Sequence, residues 1–537
     1  MTKSHFAASK LSTAIKLGLA GIAAVGMMGN ASAADTSNGN ARYIVHYKDG
    51  AHADVKTAIT GARANVKFQI HAMNAVAIEA SADGVKALKG NKNVSVVEED
   101  VKRYPFAGGT SASTGAPYLV GQLVPYGIKQ VQADLLPSGD ANTANRKICI
   151  IDSGYDRTHQ DLSSGTNVTG EYDAGTGWWY TDETNHGTHV AGSIAALNNS
   201  GVGVVGVNPN NKLKLHIVKV FGAGGWAYSS SLSTAANKCK TAGANVISMS
   251  LGGPNYSAAE NTTFSNLAKA GILLIAAAGN DGADPDPAKQ VAVSYPAGYT
   301  SVISVGAVDE SKNWASFSQY NSKVELAGPG VNVLSTVPMG KGSVSAASVG
   351  GTSYTVADMT GSPKKSATAA LFDFGIGNAV NSAAAGKVCL IQRGTVDFAT
   401  KVTNCQASGG VGAIVYNNAA GTFGGTLGTT VTTIPSVTAT DVVGAEMKAQ
   451  VGQSATVSVT ATNYAYMDGT SMATPHVSAV AALVWSYFPT CTAAQMRTTL
   501  TKSTIDLGTA GRDVKYGFGL VQAKAAYDRI KSLGCGK

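Results

Sequence analysis

Short apolar runs alternate with segments of helical periodicity through the middle of the chain. The runs lie at 147–152, 215–220, 245–251, 272–280 and 302–307, and the helical segments between them include 231–242 and 258–270. Strand–helix alternation predicts an α/β fold with a doubly wound parallel sheet. Several runs end in Asp, Ser, Gly or Asn, residues that can line a cleft at the carboxyl edge of such a sheet.

A different pattern precedes this region. Strands are predicted at 42–47, 66–70, 75–80 and 94–100, with helices at 51–62 and 83–88. The order β-α-β-β-α-β is that of a ferredoxin-like α+β unit. The small and polar residues 106–115 that follow predict an easily cut linker. A unit so placed is either a binding module or a propeptide that is removed on maturation.

The first 34 residues have the pattern of a secretory signal. Lys3, Lys10 and Lys16 precede an apolar segment at 17–28, and small residues at 31–34 suit cleavage. The apolar segment is short and interrupted by Gly, which argues against a membrane span. No later segment is long and apolar enough to cross a bilayer, so we expect an exported protein with no membrane partner.

Composition narrows the classes further. A chain of 537 residues suggests roughly two to four domains. Hydrophobic residues make up 44% and charged residues 14%, a balance that favours packed cores over disorder. The formal net charge of +8 comes without a run of basic residues, so we expect no nucleic-acid partner.

The six cysteines are an even number, and export permits disulfides. Fifteen pairings are possible, and proximity in sequence favours one of them. The preferred pairs are Cys389 with Cys405, Cys491 with Cys535, and the remaining Cys149 with Cys239. For Cys149, which lies in an apolar strand, a buried free thiol is the alternative.

A serine at the start of a predicted helix is the first candidate for chemistry. Ser471 follows Gly-Thr and precedes small and apolar residues at helical spacing up to 484. Its hydroxyl is either a nucleophile, with free N–H groups of the first helical turn nearby, or a helix cap.

Acyl transfer by serine needs a base, a residue that orients the base, and donors for an oxyanion. Asp152 ends an apolar strand, His186 begins a predicted helix, and Asn280 ends another strand. Asp152 could instead be a turn residue, and His186 with His189 could be metal ligands, although no zincin Glu completes that motif. The order Asp, His, Ser differs from the orders in α/β-hydrolases and chymotrypsin-like enzymes.

Four blocks of sequence resemble the signature blocks of the subtilisin-like serine proteases, in that family's order. They are 150–154, 186–192, 277–280 and 469–477. The resemblance implies a subtilisin-like fold in which Ser471 attacks the scissile carbonyl and His186 moves the proton. It further implies that Asp152 orients His186, and that the Asn280 side chain and the Ser471 N–H hold the oxyanion.

The same resemblance implies a substrate cleft. Two edge segments would pair with an extended peptide, and the wall of the main specificity pocket carries no charge. We therefore expect broad specificity, with large apolar or aromatic residues before the cleaved bond. The residues implied are Ser250, Leu251, Gly252, Gly225, Trp226, Ala227, Ala277, Ala278 and Gly279, with 295–297 as a second wall.

A structural Ca²⁺ site is also implied. Carboxylate, amide and carbonyl oxygens suit this cation. Relative to the family, the loop 197–204 is one residue longer around Gly201, and a turn that binds no ion is the alternative. The expected ligands are Gln122, Asp161, Leu197, Asn199, Val202 and Val204.

The resemblance divides the chain into a signal peptide (1–34), a propeptide (35–110), a catalytic domain (111–342 and 463–537) and an inserted domain (343–462). The propeptide would template folding and inhibit the enzyme, and its cut is expected between about Tyr104 and Tyr118. Segments 386–394, 398–402 and 409–418 resemble a β-rich protease-associated domain, acting as a lid or docking surface or as an inert insertion.

We thus expect a secreted, monomeric endopeptidase that acts on protein substrates. Two other classes stay open at this point. One is an inactive homologue that binds partners through the inserted domain. The other is a secreted esterase, which would not need strand-pairing segments.

Overall fold

The structure is a computed structural model that describes residues 40–106, 122–136, 145–199, 201–421 and 423–537. The predicted signal segment and the linker beyond Phe106 lie outside these residues. Among the described helices, none combines the length and apolarity needed to cross a membrane.

The first described unit, residues 41–99, is called the N-terminal unit. Its four strands form a sheet of order β2-β3-β1-β4 with antiparallel neighbours, as the ferredoxin-like prediction requires. Both helices bury apolar side chains against the sheet. The elements are β1 (Ala41–Tyr47), α1 (His52–Gly61), β2 (Asn65–Ile70), β3 (Ala75–Ala80), α2 (Ala82–Lys89) and β4 (Val94–Glu99), followed by β5 (Lys102–Pro105).

The middle of the chain alternates strands and helices. The elements are α3 (Tyr126–Gln130), β6 (Lys147–Asp152), β7 (Val168–Gly170), β8 (Tyr172–Asp173), β9 (Gly177–Trp178), α4 (His186–Ala195), β10 (Lys214–Lys219), β11 (Ala227–Tyr228), α5 (Ser229–Thr241), β12 (Val246–Met249), β13 (Leu251–Gly252), α6 (Ala258–Lys269), β14 (Leu273–Ala277), α7 (Pro287–Gln290), β15 (Val302–Val308), β16 (Val324–Pro329) and β17 (Val333–Thr336).

Seven of these strands form the central sheet, in the order β16-β15-β14-β12-β6-β10-β7. All of its neighbouring strands are parallel, which confirms the predicted doubly wound sheet. Along β6, Ile148 and Ile150 join one hydrophobic cluster, while Cys149 and Ile151 join the other. Both faces of the strand are therefore buried, which explains its uninterrupted apolar sequence.

The last part of the chain contains an inserted sheet and the long helix α10. The elements are β18 (Gly342–Val349), β19 (Thr352–Tyr354), β20 (Ala357–Asp358), β21 (Ser366–Asp373), β22 (Val388–Gln392), α8 (Phe398–Ala407), β23 (Gly412–Tyr416), β24 (Ser436–Ala439), α9 (Asp441–Lys448), β25 (Ser454–Thr462), β26 (Tyr464–Met467), α10 (Thr470–Tyr487), α11 (Ala493–Lys502) and α12 (Ala523–Leu533).

The inserted sheet has eight strands, in the order β19-β18-β25-β21-β22-β23-β24-β20. It is reached by a two-stranded antiparallel ribbon of β17 and β26, which leads into the antiparallel pair β18 and β25 of the inserted sheet itself. Only Asp468 and Gly469 separate the end of β26 from α10. The inserted sheet is thus joined directly to the helix that carries Ser471.

Three disulfides join the pairs preferred from sequence: Cys149–Cys239, Cys389–Cys405 and Cys491–Cys535. The first ties β6 to α5, the second ties β22 to α8, and the third ties the segment before α11 to the chain end. The alternative of a free thiol at Cys149 is wrong, because its sulfur is bonded to that of Cys239.

Candidate functional site

The end of β6 and the start of α4 bring Asp152 and His186 together. The Nδ1 atom of His186 lies 2.7 Å from Oδ1 of Asp152, which also accepts the N–H of Ser153 at 2.7 Å. Both side chains are buried, with 2% of His186 and none of Asp152 exposed. The contact fixes the imidazole by its Nδ1 side and directs Nε2 away from the carboxylate.

The electrostatics of this pair favour the imidazolium. Burial works against the charged ring, but the charge and hydrogen bond of Asp152, aided by the charge of Asp182, raise the pKa of His186. A base whose protonated form is stabilised in this way can take up a proton.

Asp182 holds the first turn of α4 in place. Its Oδ1 accepts the N–H of Asn185 at 3.0 Å, and its Oδ2 accepts the N–H of Thr188 at 2.8 Å. It also accepts the hydroxyl of Ser153, which in turn accepts the N–H of Gly187. Asp182 was not predicted from the sequence, although an Asp shortly before a helix start is a capping signal.

Ser471 lies in the first turn of α10 and is bound to the strand edge that begins at Ser250. Its hydroxyl donates to the Ser250 carbonyl at 2.9 Å, and the Ser250 hydroxyl donates to the Ser471 carbonyl at 2.7 Å. The Nε2 atom of His186 is buried and has no hydrogen-bond partner among the described residues. The fold that positions Ser471 thus also contains a buried imidazole nitrogen, His186 Nε2, that has no partner among the described residues.

Asn280 follows the end of β14, and Thr470 fixes its side chain. The Asn280 Oδ1 accepts the N–H of Thr470 at 3.0 Å and its hydroxyl at 2.8 Å. Because the oxygen is committed to these donors, the amide Nδ2 points the other way. It donates to the carbonyl of Phe106 at 3.1 Å. Thr470 was not singled out from sequence, since its contact spans 190 residues.

The strand β5 occupies the groove that leads to Ser471. It pairs antiparallel with β11 on one side, where Ala227 is opposite Arg103, and with β13 on the other, where Leu251 is opposite Pro105. The N–H of Phe106 continues the pairing by donating to the Ser250 carbonyl at 3.3 Å. Both edge segments expected from sequence therefore pair with an extended chain.

The individual residues of those segments contact β5 in different ways. Gly252 is opposite Tyr104. The Lys102 ammonium lies over the Trp226 ring, 4.2 Å from the centroid of that ring. Gly225 lies with positive φ in the turn before β11 and makes no ladder contact. Ala277, Ala278 and Gly279 are at the buried end of β14, leading into Asn280.

The Phe106 ring lies in a pocket that glycine leaves open. A Cβ atom built on Gly252 would lie 2.6 Å from that ring and 2.9 Å from the Tyr295 carbonyl oxygen. Only 5% of Phe106 is exposed. A side chain larger than hydrogen at Gly252 would therefore collide with the bound ring.

The residues expected to hold Ca²⁺ also lie together. The Gln122 amide nitrogen is 2.7 Å from the Leu197 carbonyl oxygen, 3.1 Å from Asn199 Oδ1 and 3.2 Å from the Val202 carbonyl oxygen. Asp161 receives the Val204 N–H on Oδ2, while its Oδ1 is buried without a hydrogen-bond partner in the described chain. Burial raises the pKa of Asp161 to about 7. Several oxygens thus converge beside a buried carboxylate that forms no ion pair with any described residue.

The alternative in which His186 and His189 bind a metal together finds no support in these contacts. His189 Nε2 lies 3.0 Å from the Val333 carbonyl and 3.1 Å from the Ala465 carbonyl, and burial lowers its pKa to about 3. His186 is engaged by Asp152. The described residues contain no group of three or more His, Cys, Asp or Glu placed to hold a metal ion.

Comparisons with known proteins agree with this arrangement. The model of the subtilase family, Peptidase_S8, matches residues 143–369 and 403–519, and that of the PA domain matches residues 349–447. Subtilisin amylosacchariticus from Bacillus subtilis subsp. amylosacchariticus is 37% identical over 318 residues, covering 58% of this chain and 77% of its own. Subtilisin E from Bacillus subtilis (strain 168) has the same identity and coverage.

A solved structure is similar as well. The psychrophilic subtilisin-like protease Apa1 from the Antarctic psychrotroph Pseudoalteromonas sp. AS-11 is 42% identical, with a TM-score of 0.56. The match covers 78% of this chain and all of that one. The chain is therefore a member of the subtilase family, a serine endopeptidase that carries an inserted PA domain.

Proposed function

We propose that the chain is the precursor of an exported endopeptidase that cleaves proteins, and first its own N-terminal unit, after large aromatic residues. One observation carries this proposal. The carbonyl of Phe106 accepts a hydrogen bond from Asn280 Nδ2, while residues 102–105 are paired between β11 and β13. An extended chain added between two strand edges is a standard mode of peptide recognition.

In the proposed reaction the carbonyl carbon of Phe106, or of the matching substrate residue, is attacked by Ser471 Oγ. His186 Nε2 takes the hydroxyl proton and later gives it to the leaving amine, and Asp152 holds the ring. For this step the Ser471 hydroxyl turns from the Ser250 carbonyl towards His186. Asn280 Nδ2 and the Ser471 N–H stabilise the oxyanion. Water then releases the acyl group from Ser471.

The N-terminal unit, together with the residues up to the end of β5, acts in this proposal as propeptide and inhibitor, because β5 fills the cleft. Two carboxylates of this propeptide also cap helices of the catalytic domain. Glu98 accepts the N–H groups of Ala258 and Ala259, each at 2.8 Å, and Asp100 accepts the N–H of Ser230 at 3.0 Å. Carboxylates at helix N-termini are stabilising, so the contacts hold the unit on the folded enzyme.

The cleaved bond is proposed to be Phe106–Ala107, within the interval expected from sequence. This choice follows from the position of the Phe106 carbonyl at Asn280. The uncharged pocket at Gly252 that holds the Phe106 ring supports a preference for aromatic residues before the cleaved bond.

The proposed function also assigns a role to each segment of the chain. We propose a signal peptide at 1–34, a propeptide at 35–106, and a catalytic domain interrupted by the inserted domain at 343–462. The disulfides and the signal pattern support export. Since Asp152, His186, Asn280 and Ser471 all belong to one chain, a monomer has a complete site.

A structural Ca²⁺ ion is proposed at the oxygens around Gln122. A half-turn of the Gln122 amide would present its oxygen in place of the nitrogen, beside the Leu197 and Val202 carbonyls, Asn199 Oδ1 and the free Oδ1 of Asp161. These hard oxygens suit Ca²⁺. The ion would tie the loop after α4 to the chain before α3 and has no part in the chemical step.

The proposed activity is tested with the purified mature enzyme on an unfolded protein and on a small aromatic ester. An endopeptidase that uses the cleft digests the protein at bonds following aromatic residues, and Ser471→Ala abolishes hydrolysis of both. Hydrolysis of the ester alone would favour an esterase. Cuts that follow Arg or Lys would contradict the proposed pocket.

A further inference from the structure

A buried ion pair lies three residues before the bond that the proposed function cleaves. Arg103 and Glu260 are both fully buried, and the guanidinium contacts the carboxylate side-on. Arg103 Nε lies 3.1 Å from Glu260 Oε1, and Nη2 lies 2.6 Å from Oε2. Arg103 comes from the N-terminal side of the cut, and Glu260 comes from α6 of the catalytic domain.

The subsite around Arg103 matches a guanidinium closely. Nη2 also donates to the Asn255 carbonyl at 2.9 Å, and Nη1 donates to the Lys102 carbonyl at 3.1 Å. Four of the five guanidinium N–H groups therefore have acceptors. A Cβ atom built on Gly253 would lie 2.8 Å from the Lys102 carbonyl oxygen and 3.5 Å from Arg103 Nη1. Glycine at this position therefore allows β5 to lie close to the Gly253 backbone.

Within the part of the catalytic domain that the structure describes, no cation pairs with this carboxylate. Among the described residues, Arg103 makes the only ion pair with Glu260. The remaining side-chain partner is the Tyr299 hydroxyl, which donates to Oε2 at 2.7 Å. Burial and the charge of Glu260 raise the pKa of Tyr299, so that hydroxyl stays protonated and neutral. Loss of residues up to Phe106 thus removes the counter-charge of Glu260 and leaves the acid facing the cleft.

We propose that Glu260 makes the mature enzyme select arginine as the fourth substrate residue before the cleaved bond. This rests on the proposed function, since it takes Phe106 as the residue before that bond. An apolar side chain in this subsite would remove water from the Glu260 carboxylate without supplying a positive charge, which makes the binding free energy less favourable. Arginine restores the side-on contact, whereas the point charge of lysine reproduces it in part.

The charge of the whole protein does not explain such a preference. Residues 107–537, the proposed mature enzyme, carry 28 Lys+Arg and 25 Asp+Glu, a formal net charge of +3, so its general field does not attract cationic peptides. A preference for arginine at one position therefore has to come from a local acid. The cation–aromatic contact of Lys102 with Trp226 lies one residue further from the cut than the Arg103–Glu260 ion pair and concerns a different side chain.

The test uses the mature wild-type enzyme and four peptides, Xaa-Tyr-Pro-Phe joined to a chromogenic amide, with Xaa as Arg, Lys, Gln or Leu. We expect kcat/KM for Arg to exceed that for Gln and Leu by about tenfold or more, with Lys between them. A fifth peptide, Leu-Arg-Pro-Phe, carries the same charge one position later and should resemble the Leu peptide.

Variants assign the effect to the carboxylate. Glu260→Gln should reduce the Arg-to-Gln ratio to about one, whereas Glu310→Gln, which removes an exposed carboxylate, should leave it unchanged. If Glu260→Gln fails to mature, Arg103→Gln with Glu260→Gln restores a neutral pair in the precursor. Cleavage of all peptides without an Arg preference would overturn this inference alone. Cleavage of none would overturn the proposed function together with it.

Discussion

Thr470 commits both of its donors to the side-chain oxygen of Asn280, at 3.0 Å and 2.8 Å, and so decides which end of that amide faces the cleft. Thr470 immediately precedes Ser471, so one turn of α10 positions the nucleophile and the oxyanion donor together. The Thr470 hydroxyl also accepts the N–H of Gly279 at 3.2 Å, which holds the end of β14 against the helix.

Replacing Thr470 by Val keeps the shape and removes the hydroxyl. The Asn280 amide then loses one of the two donors that orient it, and kcat should fall by about tenfold or more with KM little changed. Thr470→Ser retains the hydroxyl and serves as the control, with near wild-type kcat. A selective rise in KM would contradict the positioning role.

Removing the Asn280 amide itself should lower kcat more than removing the Thr470 hydroxyl. Asn280→Leu is expected to fold normally and to lose on the order of a hundredfold in kcat, a magnitude taken from the corresponding substitution in subtilisin. Steady-state kinetics on a peptide amide, with circular dichroism as the control for folding, measure both parts. An unchanged kcat would remove Asn280 from the site.

Replacing Asp182 should lower both the stability of the protein and its kcat. It accepts N–H groups at the start of α4, so Asp182→Ala leaves buried donors unpaired and should lower the free energy of unfolding by about 1–3 kcal/mol. Unfolding is measured in urea on a Ser471→Ala background, which prevents self-digestion. In the active enzyme, the same change should lower kcat because His186 begins that helix. Full stability and full kcat together would contradict this account.

The pH dependence follows from the Asp152–His186 contact. Neutral His186 is the active form, and its pKa is raised by Asp152, so kcat/KM should fall as the pH drops through a value above the ordinary imidazole pKa. Asp182→Asn removes a negative charge that adds to this effect and should move the acid limb to lower pH. An acid limb below the pKa of free imidazole would contradict the geometry.

The proposed Ca²⁺ site predicts a chelator effect. In Ser471→Ala protein, EDTA should lower Tm by on the order of 5–10 °C, and added Ca²⁺ should restore it. Asp161→Asn removes the buried carboxylate and should make Tm insensitive to both. A Tm of the Ser471→Ala protein that EDTA leaves unchanged would argue for a turn that binds no ion.

The sequence predicted the features that local patterns encode. The apolar runs identified the strands of the parallel sheet, and the resemblance of four sequence blocks to the subtilisin-like proteases predicted Asp152, His186, Asn280 and Ser471 as site residues. Helix ends moved by one or two residues, as with α5, predicted at 231–242 and found at Ser229–Thr241. Such ends depend on capping contacts that periodicity does not specify.

Contacts between distant segments were not predictable. Thr470 and Asn280 are 190 residues apart, and Arg103 and Glu260 are 157 apart. Each residue has ordinary structural uses on its own, so only the packed fold shows the pairing. The same limit left the expected cut spread from Tyr104 to Tyr118, and the contact of the Phe106 carbonyl with Asn280 is what supports the proposal of a single bond within that interval.

The central claim is that Ser471 cleaves this chain after Phe106, and the mass of the purified protein tests it most directly. Wild-type protein should yield a mature chain that begins at Ala107, accompanied by the released N-terminal fragment ending at Phe106. Ser471→Ala protein should keep the propeptide and remain a single chain through residue 537. Removal of the propeptide from purified Ser471→Ala protein, at the same bond and rate, would contradict the account.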